Sequence, residues 1–432
     1  MAIVDELLDM GFCMVGGVPC IPTNDSKFAF GLENIYRAMI DVDRNCTRAN
    51  RKEAYETLEL LAVDYPLAQP QYIAFENCVV DVINDERMTM DEFIKLDCGI
   101  IPVTIPHDFN PDAPKNELIE TLLDGIACNK SDVRMNLEEL AGLCMSRFTG
   151  DRNAIAWLYG NGANGKSTFR SVLSSMLGPE NCSYLMLGEI GGQYNKQILA
   201  NKLMNFSDDE ESKTVDKKTL GDIKRIVTGE PMKAEQKMEP IFFFTPFCTP
   251  IVTSNEPPVL AETTIGISRR FHCIPLDADF QKDSSTQPDM DLASNISKDE
   301  DALRYFISLA YGGLRRVLEN GGMTKTEYSK LALDDMMRRS NSVIDFLATH
   351  TREELLEENN VELWYWRYFE WVKDEGSHPF KPKQFTYHVN AKYGFTTENN
   401  GYYSYTNPVP QIVKIHDKTA RIGGNYRQFF PK

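Results

Sequence analysis

The sequence predicts an α/β protein organised on a parallel sheet. Two observations carry that prediction. A short apolar run at residues 154–159 leads into the glycine-rich loop Gly160-Asn161-Gly162-Ala163-Asn164-Gly165, followed by Lys166, Ser167, Thr168 and a helix-forming stretch to residue 177 that stops at Gly178-Pro179. Strand-like and helix-like segments then alternate to about residue 277, the pattern of a parallel sheet with helices on its faces. Before this core, an α+β region with a helical collar is expected. After it, the order helix, turn, helix, hairpin outlines a small winged-helix-like module.

The chain has 432 residues, enough for two or three domains. Residues 1–70 read as a mostly acidic helical segment, stopped by Pro66 and Pro70. Residues 71–150 read as two short strands around Glu76-Asn77, a proline-rich connector at 108–114, and a collar at 117–148 with Leu118, Leu122, Ile126, Leu137, Leu140 and Leu143 at helical spacing. Residues 151–340 hold the α/β core. Residues 341–432 hold an aromatic-rich helix, a second helix opening at Pro382 and closing at Gly394, and a Gly/Tyr-rich hairpin near 400–405.

Composition narrows the class. Hydrophobic residues are 42% and charged residues 25%, ordinary for a globular chain. No apolar run is long enough to span a bilayer, and the start lacks the form of a signal peptide, so a cytoplasmic protein of the host cell is expected. The ten cysteines include no C-x-x-C pair and the six histidines do not cluster with them, which argues against zinc. The formal net charge of -17 argues against nucleic-acid binding, but its distribution reverses that. From residue 378 onward Lys381, Lys383, Lys392, Lys414, Lys418, Arg421, Arg427 and Lys432 face only Glu398 and Asp417.

Gly160 to Ser167 fits G-x-x-x-x-G-K-[ST]. Such a loop turns its N–H groups toward phosphate oxygens, with Lys166 on the β/γ-phosphates and the Ser167 hydroxyl on Mg²⁺. ATP and Mg²⁺ are the expected ligands. Residues 203–207 form a strand-like run ending in Asp208, Asp209 and Glu210. A carboxylate at a strand end can hold Mg²⁺ and its neighbour can polarise water; Asp208 and Asp209 suit these roles in either order, although the same residues also make a plain acidic run. Asn255 closes the next apolar strand before Pro257-Pro258, where an amide can bond both γ-phosphate and water. Arg269 and Arg270 precede another apolar strand; a guanidinium supplied in trans can stabilise charge on the γ-phosphate, although taken alone the pair reads first as surface arginines in salt bridges. Lys233 and Lys237, followed by Ile241 and three phenylalanines, suit phosphate contacts with one DNA strand and read equally as an ordinary exposed lysine pair. Lys381, Lys383 and Lys392 suit duplex contacts.

The order of glycine-rich loop, Asp-Asp, Ser254-Asn255 and Arg269-Arg270 resembles the superfamily 3 AAA+ helicases, most closely the helicase half of poxvirus and phage or plasmid primase–helicases. Ile226-Val227-Thr228-Gly229-Glu230-Pro231 and Thr253-Ser254-Asn255-Glu256-Pro257-Pro258 add to it, and the resemblance extends over most of the chain after about residue 70. It implies a P-loop AAA+ core and a homo-oligomeric ring, usually a hexamer, with ATP at subunit interfaces, DNA in the channel and 3′-to-5′ translocation. It further implies Asn255 as sensor 1 and Arg269 or Arg270 as the finger. The acidic Asp208-Asp209-Glu210 departs from the single glutamate of the family, and nothing before residue 70 resembles a primase domain, so a separate primase or polymerase is the expected partner.

Overall fold

Five parallel strands form the centre of the molecule: β1 (Ile155–Tyr159), β2 (Cys182–Ser183), β3 (Met204–Ser207), β4 (Thr249–Ser254) and β5 (Phe271–Pro275). The computed structural model describes residues 2–23, 28–192, 194–208, 214–235, 241–280, 291–357, 361–375, 378–393, 395–397 and 403–405. The spatial order is β2-β3-β4-β1-β5. Nearly every residue of these strands is buried, as expected where helices cover both faces of a parallel sheet. The chain leaves β1 for the far edge, returns through β3 and β4, then passes β1 to reach β5. Register places Ser254 and Pro275 beside Tyr159, and Ser207 beside Val252. The carboxyl ends of β1, β3 and β4 therefore share one edge.

The collar resolves into two helices, Glu117–Ala127 and Ser131–Met145. Cys128 and Asn129 break them in left-handed conformations, with φ of 50° and 56°. The second packs along the long helix Glu300–Asn320 through two glycines. A Cβ on Gly142 would lie 2.3 Å from the Ala310 carbonyl oxygen, and one on Gly313 would lie 2.4 Å from that of Glu138. Only glycine permits backbones to approach this closely.

The first seventy residues differ from the helical expectation. Helices Ala2–Asp9, Leu32–Val42 and Arg48–Leu61 accompany a four-stranded sheet built from Cys13–Val15, Val18–Pro22, Phe28–Phe30 and Asp64–Tyr65. Strands of two to five residues are too short to display a period of two, and the Gly16-Gly17 turn, with φ of +55° and +80°, closes the first hairpin. A second sheet holds Tyr72–Phe75, Val79–Asp81, Glu86–Met88 and Thr104–Ile105. The buried Arg147 guanidinium ties the end of the collar to the start of this sheet, donating to the carbonyls of Ala68 at 3.0 Å and Gln69 at 2.9 Å, just before the first strand, and to that of Tyr72 at 3.4 Å. Burial lowers its pKa to about 10.

By contacts the chain divides into two units, Met1–Leu333 and Asp334–Lys432. The second contains helices Ser342–Ala348, Arg352–Glu357, Val361–Asp374 and Pro382–Tyr393, with an antiparallel pair Phe395–Thr397 and Tyr403–Tyr405. Its core is aromatic. The Phe346 ring lies 5.7 Å from Tyr368 and Trp371 and 6.3 Å from Trp364 and Phe385, spacings at which aromatic pairs add to area burial. Among the described residues, no helix is long and apolar enough to cross a membrane.

Candidate functional site

Residues 160–165 connect β1 to the helix Lys166–Leu177. The loop lies against the chain that follows β5 on one side and the collar on the other, and these contacts dictate Gly160 and Gly165. A Cβ on Gly160 would stand 2.1 Å from the Leu276 carbonyl oxygen; one on Gly165, where φ is +87°, would meet Ile126 at 2.6 Å. The Gly160 N–H donates to the Ser254 carbonyl at 3.3 Å, and the Phe280 N–H donates to the Ala163 carbonyl at 2.9 Å. Ala163 is itself left-handed, with φ of 60°. Asn164 is buried and donates to the Leu276 carbonyl at 3.4 Å. Asn161, Gly162, Ala163 and Ser167 are exposed, and Thr168 is half-buried. Lys166 is buried, its ammonium donating to the Gly160 carbonyl at 2.8 Å. The first turn of the helix adds N–H groups without intrahelical acceptors and the positive end of the dipole.

Asp208 follows β3 at the same edge. Its carboxylate accepts from the Thr253 hydroxyl at 3.1 Å and forms an ion pair with Arg170, one turn beyond Lys166. Asn255 is exposed at the end of β4, the strand between β3 and β1. The turn beneath it is pinned from below: the Trp157 indole N–H donates to the Ser254 hydroxyl at 2.8 Å, and that hydroxyl donates to the Glu256 carbonyl at 2.5 Å. Neighbouring strands are about 4.8 Å apart, so Asp208 starts about 10 Å from the end of β1 and Asn255 about half that. Asp209 and Glu210 lie outside the described residues. Arg170, Thr253 and Trp157 were not legible as site residues. For Arg170 a signal existed, because i+4 from Lys166 places both on one helix face.

The arginine pair lies at the opposite edge. The Ile155 N–H donates to the Arg270 carbonyl at 2.7 Å, which fixes both arginines at the start of β1 rather than its end. Five strand residues separate them from the loop, about 17 Å at ~3.3 Å per residue, beyond the reach of an arginine side chain in the same chain. The Arg270 guanidinium donates to the Gly266 carbonyl; burial, then repulsion by Arg269, lowers its pKa. Arg269 is exposed. The structure thus brings the loop, Lys166, Ser167, Asp208 and Asn255 to one edge and sets Arg269 and Arg270 apart.

The lysines divide by environment. Lys233 lies on the hairpin of Met232–Ala234 and Phe242–Phe244, directly across from Phe243. Their alternate neighbours are buried, while Phe243 is 61% exposed and presents its ring beside Lys233. Lys233 is ion-paired with Glu235, and Lys237 lies outside the described residues. In the second unit, Lys381 and Lys383 are exposed at the start of Pro382–Tyr393. Lys392 instead donates to the Leu347 carbonyl and sits 5.1 Å from the Tyr393 ring centre, so it fastens its own unit.

A family of unknown function (DUF5906) matches residues 158–270, the stretch from the end of β1 to the arginine pair. No curated protein sequence matches. Among solved structures the chain is similar to an A-form apo structure of the NrS-1 C-terminal region, with 14% identity, a TM-score of 0.51, and coverage of 84% of this chain and 80% of that one. A second apo structure of that region, residues 305–718, matches at 13% identity and a TM-score of 0.49, covering 91% and 86%. The first likeness establishes a shared fold over most of both chains.

Proposed function

We propose that this chain is an ATP-driven replicative DNA helicase of a phage, plasmid or other mobile element, working as a homo-oligomeric ring of the AAA+ superfamily 3 kind. One observation carries the reading: loop, Asp208 and Asn255 converge at one sheet edge, while Arg269 and Arg270 occupy the other. That division suits a nucleotide held at the loop of one copy and completed by an arginine of the next.

The residues fit a nucleoside triphosphate. Gly160 and Gly165 lie where any Cβ would collide, the Lys166 ammonium sits against the loop at the Gly160 carbonyl, and the helix N-terminus favours an anion. Among the described residues no group of three or more His, Cys, Asp or Glu forms a cation cage. Mg²⁺ bound with a nucleotide takes few protein ligands and keeps its waters, so Ser167 and Asp208, with Asp209 next in sequence, suffice in type. When bound, the ion supplies charge neutralisation between the β- and γ-phosphates. Asn255 orients water from the end of β4. Asp208 or Asp209 accepts its hydrogen bond.

DNA contact is assigned to two places. Lys233 with Phe243, and Lys237 nearby in sequence, offer a cation and a stacking face to single-stranded DNA in the ring channel. Lys381 and Lys383, with Lys392 supporting them, offer phosphate contacts to duplex from a winged-helix-like module. A separate primase or polymerase supplies the primers. The test is ATP turnover with and without single-stranded DNA. Stimulation by DNA supports a motor; robust turnover indifferent to DNA favours an ATP-driven switch or packaging ATPase.

A further inference from the structure

At the start of the central strands lies a cleft of about 490 Å³ that the loop edge does not use. Its wall includes Arg269, Lys325, His272 and Asp151. Two cations and one carboxylate leave it with a net positive charge. Arg269 and Lys325 are both exposed, and among the described residues neither is in an ion pair. His272 is 5% exposed and its Nε2 has no hydrogen-bond partner among the described residues. Burial keeps that imidazole out of reach of the cleft's contents, so the exposed Arg269 and Lys325 supply its chemistry.

Both cations stand on fixed bases. The Thr324 N–H and hydroxyl donate to the Glu139 carboxylate at 2.8 and 2.6 Å, and Glu139 is wholly buried. This anchors the backbone immediately before Lys325. On the other wall, Arg270 donates to the Gly266 carbonyl and its own carbonyl accepts from Ile155, which holds Arg269 outward. Arg270 is thereby a positioning residue.

We infer that Lys325 acts beside Arg269 as a second cation in trans, the cleft receiving the terminal phosphates of a nucleoside triphosphate held by a second copy of this chain. The inference rests on the nucleotide reading of the loop. In the reaction, water oxygen bonds to the γ-phosphorus as the β–γ bridging bond breaks. The electron pair stays on the diphosphate and the proton ends in solvent. Two cations from the neighbouring copy face the charge on the transferring group. A lysine adds a compact point charge where Arg269 supplies a fork.

The experiment measures ATP turnover of Lys325→Gln, Lys325→Arg and Arg269→Ala, each alone and each mixed with Lys166→Ala. Lys325→Gln should lose at least tenfold in turnover with an unchanged unfolding temperature, and Lys325→Arg should recover most of it. Mixing Lys325→Gln with Lys166→Ala should restore part of the activity, as should the Arg269→Ala mixture. Wild-type turnover in Lys325→Gln overturns the inference while leaving the loop assignment intact. Recovery in the Arg269→Ala mixture but not in the Lys325→Gln mixture also overturns it, because Lys325 would then act within its own copy. Wild-type turnover in Lys166→Ala is a different failure, that of the nucleotide site itself. Should Lys325→Gln unfold early, Lys325→Arg decides: turnover equal to the wild type supports a cationic role, and loss in a stable Lys325→Arg contradicts it.

Discussion

Arg170 and Asp208 form an ion pair between the helix behind the glycine-rich loop and the end of a strand two places away in the sheet. Both side chains are only partly exposed, at 33% and 26%. The Thr253 hydroxyl holds the other carboxylate oxygen. Asp208 is therefore oriented from two sides before any ligand arrives. Removing a partner that orients a metal ligand typically costs 10–100-fold in metal affinity or activity, whereas an ion pair this close to solvent adds about 1 kcal/mol or less to stability. Arg170→Gln should accordingly lower ATP turnover by at least tenfold and raise the Mg²⁺ concentration for half-maximal rate, with the unfolding midpoint nearly unmoved. A magnesium titration of the variant checks both; an unchanged midpoint and unchanged kinetics would remove Arg170 from the site.

Gly160 offers a steric test. Its missing Cβ would overlap the Leu276 carbonyl, a backbone atom with little room to shift. Gly160→Ala should abolish nucleotide binding and lower the unfolding midpoint. Gly162→Ala, at a position where a Cβ meets nothing within 4 Å, should do neither. Fluorescent-nucleotide titration separates the two variants.

Acid lability should come in two stages. Burial, then Lys325, pushes His272 down to about 4. A group whose folded pKa is depressed adds stability above its unfolded value and loses it as pH falls. The loss from His272 should run from about pH 6.5 to about 4 and amount to at most ~3 kcal/mol. The Arg134 guanidinium holds Glu120 down to about 2, against desolvation and with help from Lys115 and Tyr305. Its stabilisation is full above about pH 4.5 and lost toward 2. Urea midpoints across this range should fall in both windows. His272→Gln should flatten the upper window alone, and Glu120→Gln the lower alone.

The C-terminal lysines should separate. Neutralising Lys381 and Lys383 should lower the slope of log affinity against log salt for duplex DNA by about two units, one per phosphate contact, with stability within ~0.5 kcal/mol. Lys392→Met should instead lower the unfolding temperature of its unit modestly, because the Leu347 carbonyl loses one of its two donors and keeps the Tyr393 hydroxyl at 3.1 Å, and leave the salt slope unchanged. A salt slope equally insensitive to all three lysines would make the unit a docking or packing element.

The parts of this molecule that were legible in sequence are those whose chemistry is local. Residues 160–167 announce a loop because glycine is required at fixed places, and the apolar runs of β1, β4 and β5 are long enough to declare themselves. Asp208 and Asn255 stand at strand ends and were found that way. What escaped depends on strand order. Arg170 meets Asp208, and Trp157 meets Ser254, only because β4 separates β3 from β1. Lys325 and Arg269 are 56 positions apart and share a cleft only through the return of the long helix Glu300–Asn320. The N-terminal sheet was missed because its strands are too short to show a period. Lys392 reads like Lys381 in a charge count and is exposed like it, yet from the last turn of its helix its ammonium reaches the Leu347 carbonyl.

The central claim is that ATP turnover at the Gly160–Ser167 loop drives strand separation. Displacement of a labelled strand from a forked DNA duplex tests it directly, with Lys166→Ala as control. The account predicts ATP-dependent displacement by the wild type and none by the variant. Hydrolysis of ATP by the wild type without any displaced strand, on forks with either tail, would contradict it.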